Sequence, residues 1–301
     1  MRIGLQISSF TWPGGPAAIG PTLARVARDA DEAGIDSIWV MDHFFQIPGG
    51  GPVTDPMLEG WTTLGYLAAQ TRRARLGLLV GGIHYRWPGL WVKAATTLDV
   101  LSGGRAWLGL GAAWNQEESE GLGFPFPPLG ERFELLEDTL AYAHAMFAGE
   151  HGADGPFEGR RIRATRLLNS PQSISRPRIP ILVGGGGERR TLRLVAQYAD
   201  AANVFGGPEA IARKFAILRA HCEAVGRPYR EIERTNLIGV RIGRPGERGT
   251  DDASRIVDRI GDLADAGSQH VIVDLHDVWD PARLERLARD VIPHVHALPD
   301  D

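Results

Sequence analysis

Four segments of this chain set chemistry-bearing residues beside small ones. Trp39-Val40-Met41-Asp42-His43-Phe44-Phe45 ends an apolar run in an acid and an imidazole, a pairing able to pass a proton or bond a ring nitrogen. The same spacing also describes a capped or salt-bridged turn. In Val80-Gly81-Gly82-Ile83-His84-Tyr85, two glycines permit a closely approached backbone, against which a planar ring can lie, and His84 is a rim group or a solvated loop histidine. Gly109-Leu110-Gly111-Ala112-Ala113-Trp114-Asn115 places small residues before an aromatic and an amide, which suits a heteroaromatic ligand. Glu117, Glu118 and Glu120, just beyond, read as ordinary charged helix residues. Gly184-Gly185-Gly186-Gly187 ends another apolar run and leads directly into an expected helix N-terminus, where free N–H groups and the helix dipole favour phosphate. Arg189 and Arg190 add charge there or point to solvent.

These segments need elements to hold them on one surface. Short runs rich in Ile, Leu and Val alternate with longer stretches of helical period, the pattern of repeated βα units. Strands are expected at Ile3 to Ile7, Ser37 to Met41, Leu76 to Val80, Ala106 to Gly109, Ile179 to Val183, Ala201 to Val204, Thr235 to Val240 and His270 to Asp274. Helices are expected at Pro21 to Ala33, Trp61 to Thr71, Gly89 to Leu101, Glu131 to Phe147, Glu188 to Tyr198, Pro208 to Val225, Asp251 to Ala266 and Pro281 to Val295. Eight of each predict an α/β fold, a (β/α)8 TIM barrel over residues 1–301 as a single domain. No G-x-G-x-x-G follows the first strand, which argues against an open Rossmann sheet. Long insertions are expected after strand two (Asp42 to Gly60), after strand four (Gly111 to Gly130) and before strand five (Gly149 to Arg178). The first two begin on the face where barrel enzymes carry their chemistry.

Composition narrows the function. With 33 basic and 37 acidic residues the net charge is −4, so the positive field that nucleic-acid binding needs is missing. No apolar run reaches the roughly 20 residues that span a bilayer, and the N-terminus lacks a secretory signal pattern, so a cytoplasmic protein with no membrane partner is expected. Cys222 is the only cysteine and reads as a buried structural thiol. Nine histidines show no H-E-x-x-H, and no carboxylate cluster has ligand spacing, so no metal site is expected. There is no G-x-S-x-G nucleophile motif. A phosphate-bearing organic cofactor and a small-molecule substrate remain, with a homodimer possible because twofold assemblies are common.

Three blocks in order resemble the luciferase-like monooxygenase superfamily, and within it the F420-dependent oxidoreductases. They are Trp39 to Phe44, Leu98-Asp99-Val100-Leu101-Ser102-Gly103-Gly104-Arg105 with Leu108 to Ala112, and Pro180 to Gly187 with Tyr198-Ala199-Asp200. The resemblance implies a ring pocket at the barrel rim, backed by a non-proline cis peptide at Val80-Gly81 or Gly81-Gly82. It implies that Asp42 and His43 act near the ring, with His43 first and His84 second as proton handlers. It further implies cofactor contacts from Gly81, Gly82, Trp114 and Asn115, and phosphate contacts from Gly184, Gly185 and Gly186 with Asn203 nearby. The coenzyme expected is F420, which carries hydride; FMN, in a monooxygenase of the same fold, is the alternative. A noncatalytic F420 carrier is a further reading. A phosphate-sugar isomerase or aldolase lacks a lysine at a strand end, since Lys93 and Lys214 both fall in expected helices.

Overall fold

A computed structural model describes residues 1–244 and 246–299. The first half comprises β1 (Arg2–Ile7), α1 (Pro16–Glu32), β2 (Ser37–Val40), α2 (Gly60–Gln70), β3 (Arg75–Leu78), β4 (Gly81–Gly82), α3 (Pro88–Ser102) and β5 (Ala106–Gly111). Then come α4 (Gln116–Gly121), α5 (Leu129–Phe147), β6 (Phe157–Glu158), β7 (Arg163–Ala164), β8 (Ile181–Gly184), α6 (Thr191–Tyr198), β9 (Ala201–Val204) and α7 (Pro208–Val225). A 3-10 turn (Tyr229–Glu231), β10 (Glu233–Val240), α8 (Ala253–Asp265), β11 (His270–Leu275), α9 (Pro281–Asp290) and α10 (Ile292–His296) complete the order.

The parallel sheet runs β3-β2-β1-β11-β10-β9-β8-β5-β4, and the β3–β5 pairing closes it. Since β3 and β4 both pair with β5, they are two pieces of one strand, and the barrel has eight. Closure follows from alternation. Trp39, Trp107, Leu182, Ala201 and Ile272 form one buried cluster inside the barrel, while Ile38, Leu108, Ile181 and Val271 join the larger core beneath the helices. The helices meet that outer core with apolar stripes, such as Ile256, Ile260 and Leu263 on α8. Each such Leu or Ile contributes on the order of 2 kcal/mol by leaving water.

The structure corrects several expected boundaries. Helix α1 begins at Pro16 rather than Pro21, because Pro16 takes the first-turn position that suits proline and Ile19 and Leu23 share a buried stripe across Pro21. Helix α6 begins at Thr191 rather than Glu188, since the glycines continue into a turn before the chain coils. The last helix is split at Val291, with Pro293 in the second piece, where a proline ring would clash with a carbonyl of the preceding turn. The third strand breaks after Leu78, and the non-proline cis peptide lies at Leu79-Val80, one residue before the expected bonds. The expected insertions are present. The second contains α4, and the third carries the β6–β7 hairpin, pinned by Asp138 accepting the amides of Arg160, Arg161 and Ile162. Cys222 is buried, and burial raises its thiol above the ordinary value. Among the described residues no helix is long and apolar enough to cross a membrane.

Candidate active site

The loops after β2 and β5 meet over the rim, and one buried carboxylate joins them. Glu118 of α4 accepts His43 Nδ1–H at 2.7 Å, the Phe44 amide at 2.5 Å, the Phe45 amide at 2.9 Å and the Tyr85 hydroxyl. Burial pushes the Glu118 carboxyl upward, but the bonds from His43, Phe45 and Tyr85 outweigh it and hold the group below its ordinary value. An ionised Glu118 fixes the His43 tautomer with hydrogen on Nδ1, so Nε2 is the free lone pair. Among the described residues that nitrogen has no hydrogen-bond partner, and the His43 ring meets Trp114 edge-on at 5.4 Å. Phe44 stacks on Phe124 and both contact Tyr85, which explains how a helix glutamate comes to be sealed from water.

Asp42, expected to act near the ring beside His43, is held in an ion pair. Its carboxylate is 1 % exposed, takes Arg86 in a bidentate pair at 2.8 and 2.9 Å, and accepts the Gly82 amide at 3.0 Å. Burial raises the Asp42 carboxyl above its ordinary value against the pull of Arg86 and Gly82. Arg86 also reaches Glu59 at 2.6 Å and lies over the Trp91 ring. Asp42 is thus an anchor between β2 and the broken third strand. His84 lies behind the loop: its Nε2 bonds Ser119 Oγ at 2.8 Å and its Nδ1 is buried without a partner. Burial, with Arg132 adding repulsion, lowers His84 to about 4, so it is neutral at physiological pH.

Gly81 and Gly82 are buried against protein. A Cβ on Gly81 would lie 2.5 Å from Trp91, and one on Gly82 would lie 2.6 Å from Tyr85. The side chain presented to the barrel mouth is Val80, beside which Gly111 and Gly184 stand; a Cβ at either would come within 2.7 to 2.8 Å of its methyls. Gln6 of β1 donates to the Leu79 carbonyl at 3.3 Å and steadies this bulge. Trp114 is exposed, and Asn115 caps α4 by accepting the Glu118 amide. Ala113 adopts a left-handed φ of 59°, held by Arg132 donating to the carbonyls of Ala112 and Ala113.

Along the rim, Gly185 has φ +125° and donates its amide to the Asn203 carbonyl at 3.0 Å. A Cβ on Gly186 would lie 2.6 Å from Lys214 Nζ, so a helix lysine reaches this loop although its sequence position gave no sign of it. Asn203 donates to Thr235 Oγ1 at 2.9 Å, while its Oδ1 is buried with no partner. Asp274, at the inward-facing end of β11, accepts Ser8 Oγ–H at 2.7 Å, and burial raises its carboxyl above the ordinary value. Sequence reasoning read Glu118 as an ordinary charged helix residue, named Val80 only for its peptide bond and Lys214 only as a helix residue, and gave Asp274 no role at the site. Only Glu118 left a local trace, as the third residue after an Asn helix cap. The described residues contain no group of three metal-ligating side chains.

Residues 1–296 match the luciferase-like monooxygenase family. The chain belongs to that family. It is similar to the F420-dependent glucose-6-phosphate dehydrogenase of Beutenbergia cavernae, 30% identical over 271 residues that cover 88% of this chain and 74% of that protein. It is also similar to the 4-hydroxyprotoasukamycin monooxygenase of Streptomyces nodosus subsp. asukaensis, 28% identical over 209 residues, 68% of this chain and 53% of that one. An uncharacterized Mycobacterium tuberculosis protein matches at 29% over 195 residues, 60% of this chain and just under two thirds (66%) of its own length. Among solved structures, the F420-dependent tetrahydromethanopterin reductase of Methanopyrus kandleri superposes with a TM-score of 0.78 at 18% identity, covering 98% and 99% of the two chains. The EDTA monooxygenase of Chelativorans sp. BNC1 superposes at 0.82 and 15% identity, covering 100% of this chain and 95% of its own. At such identities these likenesses bear on the fold. Relatives in the family thus include both oxidoreductases named for F420 and monooxygenases.

Proposed function

We propose that this protein is an F420-dependent oxidoreductase that moves hydride between the deazaflavin and a small organic substrate at the rim above Val80. The carrying observation is His43: its tautomer is held by Glu118 and its Nε2 is left free beside Trp114. The residues present fit such a coenzyme. Val80, with Gly111 and Gly184 bare beside it, makes an apolar shelf for a planar ring, Asn203 Oδ1 is an acceptor still unpaired, and Gly185 and Gly186 with Lys214 make a phosphate cradle. When bound, the deazaflavin supplies a ring carbon that carries hydride and reacts sluggishly with oxygen.

His43 Nε2 then holds or delivers the proton that accompanies hydride transfer, at the nitrogen that Glu118 leaves available. Asp42 keeps the β2 end and the bulge in register through Arg86, and Trp114 with the aromatic cluster around Phe44 excludes water. The relative with the widest sequence coverage among those described is F420-dependent, which favours F420 over FMN. A second copy fits α2 and α3: α2 has no charged residue, and neighbouring Tyr66, Trp87, Leu90 and Leu101 are exposed.

The test is titration of the apoprotein with oxidised F420 and, separately, FMN, followed by fluorescence quenching. Micromolar binding of F420, weakened about tenfold or more by Lys214→Ala, is expected. Tighter FMN binding reassigns the protein to oxygen chemistry, and F420 binding without turnover of any acceptor reassigns it as a carrier.

A further inference from the structure

The barrel end opposite His43 carries a second concave surface. Arg2 of β1, Arg75 of β3, Arg176 and Arg178 before β8, and Arg230 of the 3-10 turn line a cavity of about 340 Å³. Trp107, pointing inward from β5, also lines it, with the Arg75 guanidinium 5.4 Å from its ring centre. Asp200, Glu231 and Glu233 are the carboxylates of the lining, and each is already engaged. Asp200 holds Arg178 in a bidentate pair at 2.5 and 3.0 Å. Glu233 takes Arg2 at 3.0 Å and His270 at 2.7 Å, while Glu231 pairs with Arg227 at 3.3 Å. Arg176 donates to the carbonyls of Ser173 and Ser175. Among the described residues, Arg75 and Arg230 make no ion pair and no hydrogen bond through their side chains, although the Arg75 charge, over the Trp107 ring, also acts on Glu233 at longer range. Five guanidiniums against three carboxylates leave an excess of two positive charges here, in a chain whose net charge is −4.

We propose that this cavity binds a small, multiply charged oxyanion of the pyrophosphate or tricarboxylate kind, separately from the rim. Guanidinium forks match such oxygens in bidentate geometry, and the flat Trp107 ring closes one side without competing for hydrogen bonds. A rim site would gate chemistry, but this one ties the start of β1 and β3 to the segment entering β8 and to the 3-10 turn. Its occupancy therefore stabilises the barrel by mass action.

The experiment follows thermal unfolding and calorimetric binding of the full chain with pyrophosphate and with citrate, at fixed ionic strength against chloride. A rise in Tm with submillimolar binding is expected for one or both anions, and the better of the two identifies the preferred chemistry. Arg75→Gln/Arg230→Gln should weaken it at least tenfold and leave coenzyme binding unchanged, while Lys214→Ala should leave it intact. No binding, equal binding by the double arginine variant, or loss with Lys214→Ala overturns the proposal; the last outcome puts the anion on the glycine loop.

Discussion

Replacing Glu118 by glutamine tests the proposed role of His43 at its support. The carboxylate accepts four hydrogen bonds, and their donors differ in freedom. The Phe44 and Phe45 amides, both on Oε2, can only donate, whereas the His43 imidazole and the Tyr85 hydroxyl, both on Oε1, can also accept. A glutamine must therefore turn its oxygen to the backbone amides and its NH2 to His43. Nδ1 becomes the acceptor, and the hydrogen moves to Nε2. Hydrogen bonds to a charged group are worth about 1.5–3 kcal/mol and neutral ones about 1, so several weakened bonds, offset by no longer burying a charge, cost about 2 kcal/mol. That amounts to a fall in Tm of roughly 4 °C for a chain of this size. Turnover with reduced F420 should fall by about a hundredfold or more, the lower end of what a positioned acid or base contributes, with coenzyme affinity unchanged. Long-range ¹⁵N–¹H spectra report the tautomer directly. A Glu118→Gln protein that keeps hydrogen on Nδ1, or that flips and still turns over at the wild-type rate, refutes the assignment of His43.

Three further outcomes follow from the same geometry. Arg86→Ala takes the cationic partner from the buried Asp42, which must then take up a proton or remain an uncompensated charge, at a cost of up to about 3–5 kcal/mol; Asp42→Asn in that background should recover part of the lost Tm, and no recovery would mean the pair is not the cause. Gly109→Ala would drive its Cβ into the Leu78 carbonyl oxygen, a backbone atom that cannot yield; a loss above about 4 kcal/mol is expected, and a soluble variant with Tm within a few degrees of wild type would contradict the packing. Asp274 has a folded pKa raised above its ordinary 3.8 by burial, so its protonated form is the better bound in the native state. Its stabilising contribution is complete below the unfolded value and is lost as pH climbs through the raised one. Asp274→Asn should therefore gain Tm on the wild type between pH 4 and 7.5; a difference that stays constant with pH would remove Asp274 as a perturbed group.

The barrel was legible in the sequence because its evidence is local. A two-residue alternation or a three- and four-residue stripe is completed within one element, so eight strands and their helices could be marked before any contact was known. The glycines at 184 to 187 could be placed at a strand end on the same footing. What the local pattern could not supply was the partner of each polar group. Asp42 and His43 are neighbours in the chain but face different neighbours in space, one held by Arg86 and the other by Glu118, 44 and 75 residues away. Glu117 and Glu120 share a helix with Glu118 and are exposed, while Glu118 alone is buried, because the turn at Ala113 aims that one side chain at the β2 loop. Likewise Lys214 reaches Gly186 only because α7 packs beside α6 once β8 and β9 are paired. Propensity and hydrophobic period act over a few residues, whereas charge pairing and close approach depend on which strands the closed barrel brings together, so the sequence set the scaffold and tertiary structure chose the chemistry on it.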